Sequence, residues 1–218
     1  MQTGRPATLS PRGMVTSPHS LASAAGADVL RAGGSAVDAA IATAAVLGVI
    51  YPHMTGMGGD AFWLIHDANT GKVRYLNGGG RAAATADTEF FKSKGLSEVP
   101  FRGIWPATLT TPGAVASWCA AHTAYGKLGM PRILASAMDY AQNGYPVSQR
   151  LAGWMQRSQA DCSAQPGWSA LFMPDGQLPL TGETRRNTAL ARTLQAVAEQ
   201  GQAGFYQGET GKALAALS

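Results

Sequence analysis

The 218-residue sequence predicts an α+β fold, helix-rich and with one β-hairpin, in which helices cover a sheet. Two helical patterns come first, a glycine-bounded hairpin follows, and further helical patterns fill the second half. Charged residues make up only 14% of the chain, against about 25% in an average globular domain. One hairpin is also too little sheet for such a helical layer. The sequence therefore predicts that other polypeptide supplies further strands and covers part of this surface.

The first two elements are predicted to be helices. Residues 20–31 place their apolar side chains near one helical face, and Gly33-Gly34 ends this helix. Ser35 is predicted to cap a second helix over residues 36–50, which is apolar nearly all round and should be buried. Asp38 is its only charge, in the first turn, where the helix dipole favours an anion.

A β-hairpin is predicted next. A glycine-rich turn at residues 55–60 leads into a strand pattern over 61–67, a reverse turn at 68–71 and an alternating stretch over 72–77. Gly78-Gly79-Gly80 then ends the hairpin, and its missing side chains let the backbone pass close to other groups.

The rest of the chain is predicted to be mainly helical. Pro112-Gly113 marks the start of the first helix, and the prolines and glycines of residues 161–183 predict a long surface loop. The predicted helices cover residues 114–125, 130–143, about 148–157, 188–200 and the closing 212–218.

Charge and cysteine content argue against several classes of function. Seventeen Lys and Arg stand against thirteen Asp and Glu, and the basic residues are scattered, so no nucleic-acid partner is expected. Cys119 and Cys162 indicate neither a zinc knuckle nor a disulfide framework. No apolar run predicts a membrane span, and residues 1–13 lack the core of a secretory signal. The expected location is the cytoplasm, or the periplasm if a signal peptide was removed.

The glycine turn and the histidines are the first candidates for a site. A dinucleotide-binding run follows a strand and opens a helix, whereas residues 56–59 follow a helix and open a strand, so we interpret them as a tight structural turn. The spacing of His19, His53, His66 and His122 predicts no metal site. His53 either lies near a pocket or, the interpretation we favour, bonds a loop carbonyl. His66 and His122 are interpreted as structural.

Among the possible nucleophiles and charged residues, Arg81 is the candidate for a substrate contact. Neither cysteine has the surroundings of a known thiol nucleophile, and Thr110 and Thr111, being internal, have no free α-amine to act as base. Arg81 follows three glycines at the end of the hairpin. It either presents its guanidinium to a substrate carboxylate or is a solvated arginine at the edge of the core.

Three segments resemble the opening of the γ-glutamyltransferases and their acylase relatives. They are GMVTSPH at 13–19, LRAGGSAVDAA at 30–40 and PHMTGMGGDAF at 52–62, and shorter similar pieces occur at 111–115, 125–128, 141–148 and 204–208. We therefore assign residues 13–218 to a partial domain, the N-terminal part of a large subunit, and residues 1–12 to a flexible N-terminus.

This resemblance implies the αββα sandwich of the N-terminal-nucleophile hydrolases, here incomplete, from a precursor that cuts itself into two subunits. It implies a threonine nucleophile at the new N-terminus of the small subunit, whose α-amine serves as base while its hydroxyl attacks an amide carbonyl. No catalytic residue is therefore expected in this chain, which alone should be inactive, and no metal or organic cofactor is expected. The implied partners are the rest of the large subunit, the small subunit, and a small-molecule amide or γ-glutamyl substrate.

One departure from the family pattern concerns the acyl group. In the γ-glutamyl enzymes an Arg-Glu-x-Ala-Pro run after the hairpin supplies the arginine that binds the substrate carboxylate. The corresponding stretch here puts Gly79 at that place and Arg81 two residues later. Either Arg81 reaches the same carboxylate or the glutamyl site is lost, and the Gly-Gly-Asp run ending at Asp60 favours a cephalosporin-acylase-like amidohydrolase. An inert remnant that binds a partner chain is the alternative from another functional class.

Overall fold

The computed structural model describes residues 7–99 and 109–217, and within them the chain forms ten helices and four short strands. The helices are α1 (Ser20–Arg31), α2 (Ala36–Ile50), α3 (Thr88–Ser93), α4 (Ala114–Tyr125), α5 (Met130–Asn143), α6 (Gln149–Cys162), α7 (Pro166–Phe172), α8 (Thr188–Gln200), α9 (Gln202–Tyr206) and α10 (Glu209–Leu217). The strands are β1 (Ala61–Asp67), β2 (Lys72–Gly78), β3 (Tyr145–Pro146) and β4 (Thr184–Arg185).

The predicted helix-rich α+β arrangement with a β-hairpin is confirmed. Five helices, α1, α2, α4, α5 and α8, have the predicted bounds. Strands β1 and β2 pair antiparallel, from Ala61 opposite Gly78 to Asp67 opposite Lys72. The hairpin lies against α4, and α2 packs between α1, α4 and α5.

A buried carboxylate fixes the start of α2. Ser35 and Asp38 form a capping box, in which each side chain accepts a hydrogen bond from the other residue's N–H, at 3.0 and 2.9 Å. Asp38 has no exposed surface, and its Oδ2 also accepts from the N–H groups of Lys127 and Leu128, at 2.9 and 3.2 Å. Asp38 therefore has a second role besides the expected interaction with the helix dipole. Its carboxylate also joins α2 to the connection between α4 and α5.

The core is built from helices, with the hairpin laid along one side. Ile41, Val46 and Ile50 of α2 are fully buried, as are Leu134 of α5 and Leu194 of α8. Burial alternates along β1, which is the pattern of a strand with one face on a core. The residues of the inner hairpin face that pack against the core are Trp63, Ile65 and Leu76.

The other face of the hairpin is apolar and exposed. We call Phe62, Leu64, Val73 and Tyr75 the outer hairpin face; they are 63%, 78%, 60% and 64% exposed. Leu64 lies opposite Tyr75 in the strand pairing, so the four side chains form a continuous patch on the side away from the helices. Such a patch is typical of a surface that another element covers.

Several elements differ from the prediction. The long loop predicted over residues 161–183 is confirmed only for residues 173–183, because α6 continues to Cys162 and α7 occupies Pro166–Phe172. A proline at the first helical position loses no hydrogen bond and suits a helix start, so Pro166 begins α7 and does not mark a loop. The helices α3 and α9 and the small β3–β4 sheet were not predicted, and α10 begins at Glu209, three residues early.

The predicted flexible N-terminus falls partly outside the described residues. Residues 7–12 are exposed and belong to no helix or strand, while residues 1–6 lie outside the described ranges. Among the described helices, none combines the length and the apolar character that a membrane crossing requires.

Candidate functional site

Three segments that are far apart in the sequence meet where the hairpin reaches the N-terminus of α4. We call this place the glycine junction, and it comprises residues 56–60, 78–81 and 110–114. The carbonyl oxygen of Gly59 accepts hydrogen bonds from the N–H groups of Gly113 and Ala114, at 3.0 and 2.9 Å. The N–H of Thr111 donates to the carbonyl of Arg81 at 2.9 Å. Backbone hydrogen bonds therefore connect residues 110–114 to both of the other segments.

Close packing requires glycine at positions 80 and 113 of the junction. A Cβ at Gly80 would lie 1.6 Å from the carbonyl oxygen of Thr111, and one at Gly113 would lie 2.2 Å from that of Gly78. Both neighbours are backbone atoms, which cannot rotate away as a side chain can. The predicted close approach of the second glycine run to other groups is confirmed.

Asp60 fixes the end of the second glycine run. Its Oδ1 accepts a hydrogen bond from the N–H of Gly80 at 2.8 Å. Nearby, the indole N–H of Trp63 donates to Oγ of the buried Ser117 at 3.0 Å, which holds β1 against α4. In the sequence Asp60 indicates only the branch of the family, and no local pattern shows its contact twenty residues along the chain.

Arg81 combines a fixed backbone with a free side chain. Its carbonyl is bound by Thr111, while its exposed guanidinium makes no hydrogen bond or ion pair with any residue that the structure describes. An arginine of this kind has all its donors available for a carboxylate. The geometry fits a substrate contact, and the role of Arg81 stays a prediction.

The first glycine run differs from the second. A turn is present at residues 57–59 as predicted, and the side chain of its first residue, Met57, is buried. A Cβ at Gly56, Gly58 or Gly59 would meet no described atom within 4 Å, and none of the three has a positive φ. Within the described residues, neither packing nor backbone conformation requires glycine there.

The prediction that His53 bonds a loop carbonyl is wrong. Both ring nitrogens are shielded from solvent and have no hydrogen-bond partner among the described residues. The ring instead packs against Tyr51 and Trp154, with centroids 4.2 and 5.6 Å away. Burial lowers the pKa of His53 below its ordinary value, and the positive charges of Arg150 and Arg157 lower it further. These surroundings favour the neutral form of the ring.

The remaining candidates have structural surroundings. His122 bonds the carbonyl of Leu128 through Nε2 at 2.7 Å, as the structural interpretation requires. His19 caps α1, and burial lowers its pKa. Cys119 and Cys162 are half-buried free thiols, and desolvation raises the pKa of Cys119. In the described part of the chain, no three His, Cys, Asp or Glu side chains group as metal ligands do.

Sequence analysis also missed a contact from Tyr206. Its hydroxyl donates to the carbonyl of Pro112 at 2.7 Å and accepts from the N–H of Ala116 at 3.1 Å. About ninety residues separate it from these partners, so no local pattern connects them. The only signal was its position in the 204–208 segment of the family resemblance.

Two cavities lined by described residues lie elsewhere. One, of about 380 Å³, is an apolar groove between residues 14–18 and the helices α1 and α2. The other, of about 430 Å³, lies among α8, α9 and α10. Neither is lined by residues of the glycine junction.

Comparison with known families gives a match that spans nearly the whole chain. The family model described as gamma-glutamyltranspeptidase matches residues 22–217. The structure also superposes on that of cephalosporin acylase from Bacillus halodurans with a TM-score of 0.85 and 37% identity, covering 99% of this chain and 42% of that one. This superposition confirms the predicted fold class, an incomplete αββα sandwich.

Two relatives show how much longer such proteins are. The glutathione hydrolase-like YwrD proenzyme of Bacillus subtilis (strain 168) is 42% identical over 196 residues, which make up 90% of this chain and 37% of that protein. The oxamate amidohydrolase proenzyme of Klebsiella pneumoniae is 37% identical over 212 residues, 95% of this chain and 39% of that protein. The chain thus spans less than two fifths of either relative.

Proposed function

Because the chain belongs to the γ-glutamyltranspeptidase family, we propose that it is the N-terminal part of the large subunit of an enzyme that transfers or hydrolyses an acyl group from an amide. The observation that supports this proposal most directly is the family match over residues 22–217. Both relatives named above are proenzymes, and their names describe a glutathione hydrolase-like protein and an amidohydrolase.

The proposed chemistry uses a nucleophile from other polypeptide. A threonine at a newly formed N-terminus attacks the amide carbonyl, its α-amine accepts the hydroxyl proton, and the amine of the substrate leaves with a proton. The acyl-enzyme then reacts with water or with an acceptor amine. The described residues contribute the helical layer, the hairpin and the glycine junction, and no nucleophile.

The outer hairpin face supports the need for a second piece of polypeptide. Four large apolar side chains lie exposed on a two-stranded sheet, and such a sheet is marginally stable without a neighbour. The relatives are more than twice as long as this chain. We propose that strands from the rest of the large subunit and from the small subunit cover this face.

We propose Arg81 as the residue that binds a carboxylate of the acyl donor. Its free guanidinium on a fixed backbone supports this role. Oxamate, named as the substrate of one relative, is itself an amide that carries a carboxylate. A cephalosporin-acylase-like amidohydrolase is the second candidate, supported by the close superposition on such an enzyme.

Activity measurements with and without the remaining polypeptide test the proposal. We expect the gene to continue in frame with a segment that resembles Thr-Thr-His, and the complete protein to cleave itself and hydrolyse a γ-glutamyl anilide or a related amide. Residues 1–218 alone should release no product. Activity from these residues alone would contradict the proposal, and a complete protein that folds but neither cleaves itself nor hydrolyses any amide would favour an inert partner-binding chain.

A further inference from the structure

The N-terminus of α4 lacks the usual side-chain cap. Its N-cap residue is Gly113, and no side chain there bonds the first turn. Helix starts usually carry Ser, Thr, Asp or Asn, whose oxygen accepts from the N–H of the second or third helical residue. In α4 the third helical residue is Ala116.

A side chain at the N-cap is excluded by packing. A Cβ at Gly113 would lie 2.2 Å from the carbonyl oxygen of Gly78, at the end of the hairpin. The junction that brings the hairpin onto α4 therefore prevents residue 113 from capping its own helix. Gly59 satisfies the N–H groups of Gly113 and Ala114, but the N–H of Ala116 needs another acceptor.

Tyr206 supplies that acceptor from α9. Its hydroxyl oxygen accepts from the N–H of Ala116 at 3.1 Å, the bond that an N-cap serine would make, and its proton goes to the carbonyl of Pro112 at 2.7 Å. The hydroxyl thus links the first turn of α4 to the segment that enters it. Burial raises the pKa of Tyr206, so the hydroxyl stays protonated at physiological pH.

The position of Tyr206 is itself fixed. The neighbouring Phe205 is 2% exposed and belongs to the core. Gly204 lies so close to α8 that a Cβ there would be 2.1 Å from the carbonyl oxygen of Ala196. The short helix α9 therefore holds the hydroxyl in one place.

We infer that Tyr206 is a positioning residue: it caps α4 from a distance and so fixes the strand-like segment 110–113 against which Gly80 and Arg81 are held. Thr111, within this segment, donates to the carbonyl of Arg81, and Gly80 packs directly on the carbonyl of Thr111. The inference rests on the proposed function in one respect, since it takes Arg81 as the carboxylate ligand of the acyl donor.

The variant Tyr206→Phe removes only the hydroxyl, and two measurements on the complete enzyme test the inference. Amide hydrogen exchange at Ala116 should become about fivefold faster, as expected for the loss of one helix cap. The KM for donors that carry a carboxylate should rise about threefold, while kcat changes less than about twofold and neutral amides are unaffected. Tyr140→Phe is the matched control, because the Tyr140 hydroxyl has no hydrogen bond to the described residues, and it should change neither quantity.

Each possible result tests a different step of the inference. Unchanged exchange at Ala116 overturns the cap. Faster exchange with equal KM changes for charged and neutral donors overturns the positioning of Arg81. If the complete protein has no amidase or transferase activity, the proposed function fails, and the exchange measurement still decides the cap. Should Tyr206→Phe not fold, 3-fluorotyrosine in place of Tyr206 keeps the hydroxyl as a weaker acceptor; exchange at Ala116 should then rise about twofold, and unchanged exchange contradicts the inference.

Discussion

The two glycine runs of this chain look alike in sequence but have different surroundings. In the second run, Gly80 packs against the backbone of residue 111, and a side chain there has no space. In the first run, a Cβ at Gly58 would point into open space within the described structure. The second run therefore follows from the packing of this chain on itself. Glycine in the first run has no such reason here, and it suits the close approach of a group from outside, such as a substrate or the remaining polypeptide.

The largest effect is expected for Gly80→Ala. The new Cβ would overlap the carbonyl oxygen of Thr111, so the hairpin end and the loop before α4 must move apart. Overpacking of this kind costs about 2–3 kcal/mol, which lowers the melting temperature by about 2–3 °C in a complete enzyme more than twice as long as this chain. Thermal unfolding of the complete enzyme measures the shift. A melting temperature within about 1 °C of the wild type would show that the two runs do not differ in packing.

The second largest effect is expected for Arg81→Ala. Arg81 directly follows the second glycine run. Loss of a charge-assisted contact costs about 1.5–3 kcal/mol, so the KM for acyl donors that carry a carboxylate should rise by at least about tenfold. Neutral amides should be hydrolysed as before, and the exposed guanidinium makes no contact within the described chain whose loss would lower stability. Equal changes for charged and neutral donors would remove Arg81 from the site.

Gly58→Ala tests the first run and is the matched control for Gly80→Ala. Because the added methyl group meets no described atom, the melting temperature should stay within about 1 °C of the wild type. If a substrate or the second subunit lies close to this run, kcat/KM should nevertheless fall by about threefold, because the methyl group occupies that space. Steady-state kinetics with the best amide donor measures this; unchanged kcat/KM would mean that the run faces only solvent.

The smallest effect concerns His53, which precedes the first run. Its pKa is lowered from the ordinary value of 6.5. Just below that pH, the unfolded chain therefore binds a proton at His53 more readily than the folded protein does. Stability should therefore fall as the pH drops below about 6.5, and His53→Gln should reduce the loss in melting temperature between pH 7.5 and pH 5. His19 has a pKa shifted in the same direction, so part of the acid sensitivity should remain. A pH dependence identical to the wild type would contradict the lowered pKa of His53.

Much of the fold was predictable because its signals are local. The capping box at Ser35 and Asp38, the glycines that follow α1 and the apolar periodicity of α2 lie within a few residues of the elements they define. The failures were also local in origin. Pro166 starts a short helix, although its surroundings are typical of a loop. The Asp87 side chain caps α3, and this cap is a local signal for a helix that sequence analysis did not predict.

The candidate site was less predictable. The position of Arg81 after the glycine run makes it the candidate carboxylate ligand, which stays a prediction, and the chemistry is what the family resemblance implies. Asp60 was noted only as a family marker, and Tyr206 was not identified as part of the site. Each acts through a hydrogen bond to a partner at least twenty residues away, and the character of these residues does not show which backbone group they meet.

The sequence by itself determined five of the helices, the hairpin and the family, since helix caps, periodicity and motifs lie in neighbouring residues. Only the tertiary structure decided which glycines are packed and which are open, that Asp38 binds the connection between α4 and α5, and that Tyr206 caps α4. The physical reason is that these contacts join segments twenty to ninety residues apart, and their geometry exists only after the helices and the hairpin have packed together.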